Sequence, residues 1–162
     1  MIHNKTLISI LLFLNSLCLN AAEVIPMKSI TEAHILRLHP GEDPKVELMK
    51  YVQAHKLKAA SVVSAVGSLK VTFLRYANQK NAVKLDGFRE VLSLSGSLGS
   101  SSGSHLHLSV SDSQGLTLGG HLVEGSQVYT TLEIVLLAYP ELEFARVLDP
   151  KTTYEELSIS TR

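Results

Sequence analysis

Residues 105–122, HLHLSVSDSQGLTLGGHL, alternate between polar and apolar side chains on both sides of a short turn-forming segment. Side chains of a β-strand point alternately to opposite faces, so the first half places histidines and serines on one face and leucines and valines on the other. Residues 112–115 carry the residue types that turns favour. The stretch therefore predicts a β-hairpin with one polar and one apolar face.

The length of the turn decides where His121 points. A two- or four-residue loop would pair His107 with Gly120 and leave His121 among the leucines. A three-residue loop, residues 113–115, ends in a glycine, which suits the left-handed position that such a turn requires. This loop pairs His107 with His121 and keeps all apolar side chains on one face, whereas a one-residue slip would bury a histidine. Hydrophobic burial therefore predicts the three-residue loop.

The same register predicts a metal site. The β-carbons of His107 and His121 are expected roughly 5 Å apart, with His105 one diagonal step away. Three neutral imidazoles that converge in this way suit a divalent ion such as Zn²⁺, Ni²⁺ or Fe²⁺. We predict that His105, His107 and His121 bind a divalent metal. Two histidines on one strand face also occur as plain surface residues, so the third histidine carries this prediction.

A three-histidine set with an open coordination position can also activate a bound water molecule at neutral pH. Glu124, three residues after His121, and Glu90 are the candidate catalytic residues, as proton carriers or as hydrogen-bond partners of the rings. A metal-dependent hydrolase or lyase is therefore the alternative to a protein that only binds a metal or a small ligand.

The rest of the chain predicts strands around one helix. Asp43 is suited to cap a helix with Pro44 at its first position and an apolar stripe through Val46, Met49 and Val52. The strand predictions are residues 32–40, 58–69, 70–77, 88–98, 127–139, 142–150 and a short segment near the end. We expect a single α+β domain with one main helix and a mostly antiparallel, multi-stranded sheet.

Three further details of the sheet can be predicted from glycines, serines and alternation. Residues 58–69 and 70–77 are expected to be two consecutive strands, with the break caused by Gly67. Strict alternation in 88–98 is expected to place Leu92 and Leu94 together on one face, and the serine-rich segment 96–104 predicts a flexible loop.

The N-terminus has the layout of a secretory signal peptide: a lysine at 5, an apolar run over about residues 7–19, and alanines at 21 and 22. The run is shorter than the roughly 20 residues that a membrane-spanning helix needs, so we expect no permanent span. A lipid anchor at Cys18 is the less favoured alternative. Removal of residues 1–22 would leave residues 23–162 as one periplasmic or secreted domain without cysteine, whose metal ligands must be nitrogen or oxygen.

The charge balance disfavours nucleic acid as a partner. The chain has 15 Lys and Arg against 15 Asp and Glu, and its lysines are spread singly rather than in a basic stripe.

Several segments, taken in order, resemble the PPC domain family, a domain of unknown function conserved in plants and prokaryotes. They are RLHPGEDP (37–44), SAVGSL (64–69), REVLSLSGSL (89–98), HLHLSVSDSQG (105–115), GGHLVEG (119–125), YTTLEIVL (129–136) and DPKTTYEEL (149–157). The resemblance covers about residues 33–160. It implies a PPC-like α+β domain that assembles as a homotrimer, with a metal, usually zinc, held by the histidines of the HxH and GGH segments. By position these are His105, His107 and His121.

The plant branch of the PPC family joins this domain to AT-hook segments and acts in the nucleus. This chain has no Arg-Gly-Arg-Pro core and carries a predicted signal peptide instead. A DNA-binding regulatory protein is therefore the disfavoured alternative. The leading hypothesis is an exported, homotrimeric protein that binds a metal or a small ligand.

Overall fold

The computed structural model describes residues 26–162, so the predicted signal peptide, residues 1–22, lies outside the described residues. The described chain forms one helix and eight strands: β1 Glu32–Leu38, α1 Pro44–Ala54, β2 Ala60–Arg75, β3 Val83–Gly99, β4 Gly103–Ser111, β5 Thr117–Leu122, β6 Gln127–Ala138, β7 Leu142–Leu148 and β8 Glu155–Thr161. The predicted single α+β domain with one helix and an antiparallel sheet is confirmed. No helix within residues 26–162 is long and apolar enough to cross a membrane.

Six strands form one sheet in the order β1-β6-β2-β3-β4-β5, and every pair in it is antiparallel. The end of β2 also pairs with β5, through Leu74 opposite Leu122 and Arg75 opposite His121. Strands β2 to β5 therefore close into a ring, which brings the end of β2 next to the predicted histidine hairpin. Strands β7 and β8 form a separate two-stranded sheet.

Helix α1 covers part of the core. As predicted, Asp43 caps it: the side-chain oxygen Oδ1 accepts hydrogen bonds from the backbone N–H groups of Lys45 and Val46. The predicted apolar stripe is partly wrong, because the buried row of the helix is Pro44, Leu48 and Val52. Val46 and Met49 are only half-buried. Residues four apart stack along one helical face, and this row faces the sheet.

Strand β2 is continuous through Gly67, so the predicted break into two strands is wrong. The backbone of β6 passes so close to Gly67 that a β-carbon there would overlap with the carbonyl oxygen of Thr131. Glycine is required here because the two backbones approach closely, and it does not end the strand.

Strand β3 departs from the predicted alternation. The pairing with β4 shifts between Val91 and Ser93, which is a β-bulge. Because of the bulge, Val91 and Leu94 are both buried, while Leu92 is 55 % exposed. The prediction that Leu92 and Leu94 share a face is therefore wrong.

The predicted flexible loop at 96–104 is also wrong. Strand β3 continues to Gly99, residues 100–102 form a tight turn, and β4 starts at Gly103. Ser97 and Ser104 belong to the paired strands, and only Ser100, Ser101 and Ser102 lie in the turn, because the sheet satisfies the backbone hydrogen bonds of the segment almost up to the turn.

Gly96 provides a test of this packing. It has a φ of 141° and lies opposite Leu106, whose Cα would be 2.9 Å from a β-carbon at position 96. We expect Gly96→Ala to lower the free energy of unfolding by about 2–4 kcal/mol, because the backbone of β4 must move to make room. Denaturant unfolding followed by circular dichroism measures this. The exposed neighbour provides the control: Ser95→Ala should change stability by less than about 0.5 kcal/mol, and equal effects of the two changes would contradict the packing described.

Candidate metal centre

The hairpin formed by β4 and β5 has the predicted register. His107 pairs with His121, and the following pairs run to Ser111 opposite Thr117. Gly115 has a φ of 79° at the end of the three-residue loop. The N–H of Asp112 donates to the carbonyl oxygen of Leu116 (3.1 Å), and the Asp112 carboxylate accepts the N–H of Leu116 (3.0 Å). The loop that hydrophobic burial favoured is therefore confirmed.

The two faces of the hairpin are sorted as predicted. Leu106, Leu108 and Val110 are almost completely buried in the core. His105 and His107 are exposed, and His121 is half-buried. The imidazoles therefore lie on the outer side of the ring of strands, where a ligand can reach them.

The three rings converge on one point. A ring nitrogen from each of His105, His107 and His121 lies within 4.8 Å of the other two. The ring centroids are 4.5 Å apart for His107 and His121, 5.0 Å for His105 and His107, and 5.1 Å for His105 and His121. Nitrogen ligands of one tetrahedral zinc ion lie about 3.3 Å apart, so small ring rotations bring all three donors to a single ion. The donor set fits a divalent metal.

The surroundings favour the neutral form of two of these rings by lowering their pKa. Partial burial lowers the pKa of His105 below its usual 6.5, and the positive charges of Arg146 and a protonated His107 lower it further. Partial burial also lowers the pKa of His121, together with the charge of Arg75. Only a neutral imidazole has a free lone pair, so both effects favour the form that binds metal at neutral pH.

An open cleft of about 470 Å³ adjoins His105 and His107, with Ser61, Ser95 and Ser97 in its lining. Ser95 lies directly opposite His107 in the pairing of β3 with β4, and Ser97 lies opposite His105. Directly opposed residues of an antiparallel pair point to the same face. The serine hydroxyls and the imidazoles therefore share one surface.

Two arginines reach this surface from other parts of the chain, and sequence reasoning missed both. Arg75, at the end of β2, lies opposite His121. Arg146, on β7, donates a hydrogen bond from Nη2 to Ser97 Oγ at 2.7 Å. Both contacts depend on pairing and packing between distant segments, and no local pattern around either arginine indicates them.

The two predicted catalytic carboxylates belong to β3 and to the turn after β5. Glu90 is opposite Ser111, four strand positions from His107, or about 13 Å along the strand. Glu124 is exposed in the turn that follows β5. Within residues 26–162, neither carboxylate forms a hydrogen bond with the three histidines.

Two other histidines form a separate cluster beside the helix. His34 Nδ1 lies 2.9 Å from the hydroxyl of Tyr51, and the ring of His55 stacks on Tyr51 with centroids 4.0 Å apart. Within the described chain, His105, His107 and His121 are the one group of three donors close enough to hold an ion.

The sequence matches the Plants and Prokaryotes Conserved (PCC) domain, also abbreviated PPC, over residues 26–140. The chain belongs to the PCC family. The match ends two residues after β6, so the β7–β8 hairpin lies beyond it.

Two curated proteins from Synechococcus strains, each named bifunctional protein GlmU, are 50 % identical to this PCC chain over 124 residues, or 76 % of its length. The chain spans only about a fifth (20 %) of the length of those relatives. A hypothetical protein from Salmonella has a solved structure that matches with 43 % identity and a TM-score of 0.82, covering 84 % of this chain and 98 % of that one. A structure named as a metal-containing protein from Archaeoglobus fulgidus matches at 24 % identity and a TM-score of 0.68, covering 84 % and 99 %.

The electrostatics predict a specific titration in the metal-free protein. Replacing Arg146 with glutamine should raise the pKa of His105, because a positive charge that opposes ring protonation is removed. The pKa of His121 should change less, because Arg75 is the arginine that acts on it. Histidine ring signals followed by NMR against pH measure both values in one sample. A folded Arg146→Gln variant with an unchanged pKa for His105 would show that the guanidinium does not face the ring.

Proposed function

We propose that this PCC-domain protein binds one divalent metal ion, zinc being the first choice, through His105, His107 and His121, and binds a small ligand at that ion. The convergence of three ring nitrogens within 4.8 Å on an outward face carries the proposal. Structural zinc sites are usually closed by four protein ligands, whereas three histidines leave a position for an external donor. The bound ion would supply Lewis acidity and a coordination position for that donor.

The choice of metal follows from the donors. Residues 26–162 contain no cysteine, so the donors at this site are imidazole nitrogens, which suit zinc, iron and nickel. A metal-containing protein of the same fold is known from Archaeoglobus fulgidus, and its name adds support for a metal but not for its identity.

Elemental analysis of untagged protein tests the metal site. Wild-type protein should contain about one metal ion per chain, and the double variant His107→Ala, His121→Ala should contain almost none, because one remaining imidazole cannot hold the ion. The matched control is His39→Ala, His55→Ala, which removes two exposed histidines elsewhere and should keep the wild-type content. Equal metal content in wild type and in the folded His107, His121 variant would refute the proposed site.

We also propose that the protein is exported and assembles as a homotrimer. Export follows from the predicted signal peptide in residues 1–22. The support for assembly is an apolar outer surface on the central strands: Val63 and Val66 of β2 are 54 % and 65 % exposed, and Leu92 of β3 is 55 % exposed. Exposed apolar groups in the middle of a sheet favour a covering partner. Further copies of this chain suit that role, because a net charge of zero gives little mutual repulsion.

Light scattering on a sizing column tests the assembly. The wild-type protein should have the mass of three chains, and Val66→Glu should shift it towards one chain, because a carboxylate would be buried at the subunit contact. Leu148→Glu is the matched control: Leu148 is also 65 % exposed, but it lies on β7 and should leave the mass unchanged. A wild-type mass of one chain would rule out the trimer.

The two alternatives have weaker support. A hydrolase or lyase needs a proton carrier at the metal, and Glu90 lies about 13 Å along the strand from the level of His107. Glu124 is three residues past His121 but exposed in its turn. DNA binding needs a basic surface, whereas the chain has equal numbers of basic and acidic residues.

A further inference from the structure

We propose that the ligand of this site carries an oxyanion, a carboxylate or phosphate group, which Arg75 and Arg146 bind beside the metal. This inference rests on the proposed metal site and names the chemistry of the ligand that site would take. Three observations support it: the placement of the two guanidinium groups, the hydroxyl groups in the cleft beside His105 and His107, and the balance of charge around the histidines.

The arginines flank the histidine triad on two sides. Arg75 is directly opposite His121 in the β2–β5 pairing and therefore points to the same face as the imidazole. Arg146 reaches Ser97 Oγ, and Ser97 is directly opposite His105. The two cations thus stand beside the two histidines whose pKa they lower, with the open side of the triad between them.

In the part of the chain that the structure describes, neither guanidinium has a carboxylate partner: no salt bridge there involves Arg75 or Arg146. Arg146 donates to the Ser97 hydroxyl, and Arg75 donates from Nη1 to the carbonyl oxygen of Gln79 at 3.3 Å. A guanidinium carries five N–H donors, so each arginine keeps donors for an external oxyanion.

The cleft supplies further donors and enough room. Ser61, Ser95 and Ser97 contribute hydroxyl groups to its lining, and its volume of about 470 Å³ lies within the usual range for small-molecule sites. A hydroxyl can donate to an oxyanion as readily as to a neutral acceptor. The three hydroxyl groups therefore offer an oxyanion additional donors next to the histidines.

Charge balance points in the same direction. Three neutral imidazoles add no charge, so a divalent ion would bring two positive charges to a surface that already holds two guanidinium groups. Glu156 of β8 is the carboxylate that acts on His105 and offsets only part of this. Arrangements of this kind repel a lone cation and attract an anion, which gains Coulomb energy from all the positive groups at once.

This charge argument separates a ligand-binding role from a merely structural one. If Arg75 and Arg146 serve an anion, removing either charge should weaken anion binding and should also strengthen metal binding in anion-free buffer, because repulsion of the ion falls. A structural arginine would leave anion binding unchanged, even if its removal altered the affinity for the metal.

The experiment uses the full protein loaded with Co²⁺, whose visible spectrum responds when a ligand enters its coordination sphere. Inorganic phosphate and acetate are titrated separately in a non-coordinating buffer. Saturable spectral changes are expected with at least one of them. Arg146→Gln and Arg75→Gln should each raise the apparent Kd about tenfold, the loss expected for one charge-assisted contact.

Arg37→Gln is the matched control. Arg37 is an exposed arginine of β1 whose Nε donates to Thr131 Oγ1, remote from the histidines in the sheet order, and its replacement should leave the Kd unchanged. Arg146→Lys should recover part of the affinity because it restores the charge without the planar donor pair. One equivalent of bound Co²⁺ verifies that each variant is folded and keeps the triad.

The outcomes distinguish this inference from the metal proposal. Failure of the wild type to bind Co²⁺ would refute the proposed metal site and the inference with it. If Co²⁺ binds but neither anion changes the spectrum, or if both glutamine variants bind the anions like wild type, the metal site stands and the oxyanion inference is overturned. A response to phosphate alone supports a phosphate-bearing ligand, and a response to acetate alone supports a carboxylate.

Discussion

The separation of apolar from polar side chains across the β4–β5 hairpin is the constraint on which the rest of this structure depends. Leu106, Leu108 and Val110 are buried because the core gains roughly 1.5–3 kcal/mol from each large apolar side chain that leaves water. Since strand side chains alternate, this burial directs His105 and His107 outwards. The histidines do not need to attract one another to be brought together. The core beneath them sets their direction.

The closure of β5 against β2 completes the arrangement. A hairpin at the open edge of a sheet can shift its register or pair with another chain. Here His121 lies between His107 on one side and Arg75 on the other, so its strand is held by pairing on both sides. The three imidazoles are consequently positioned by regular strands rather than by loops, which suits a site whose donors must stay within a few tenths of an ångström.

The sequence was sufficient for those parts that depend on neighbouring residues. The hairpin register, the convergence of His105, His107 and His121, the Asp43 cap and the long strand β6 could all be predicted, because local alternation and turn chemistry decide them. The bulge after Val91 could not, since a bulge depends on how two strands fit over their full length. Gly67 was read as a strand break, whereas the approach of β6 explains it. Arg75 and Arg146 were missed for the same reason: their neighbours are distant in sequence.

The β7–β8 hairpin is anchored apart from the main sheet, through Leu142 and Phe144 packed with Ala59 and through the N–H of Phe144 donating to the carbonyl oxygen of Lys58. It lies beyond residue 140, where the family match ends, yet it delivers Arg146 to the edge of the histidine surface. The histidine triad and this guanidinium are thus held by separate sheets, the triad by the six-stranded sheet and Arg146 by the β7–β8 pair. At the proposed site, a substitution in this hairpin would alter the guanidinium without disturbing the strands that carry the imidazoles.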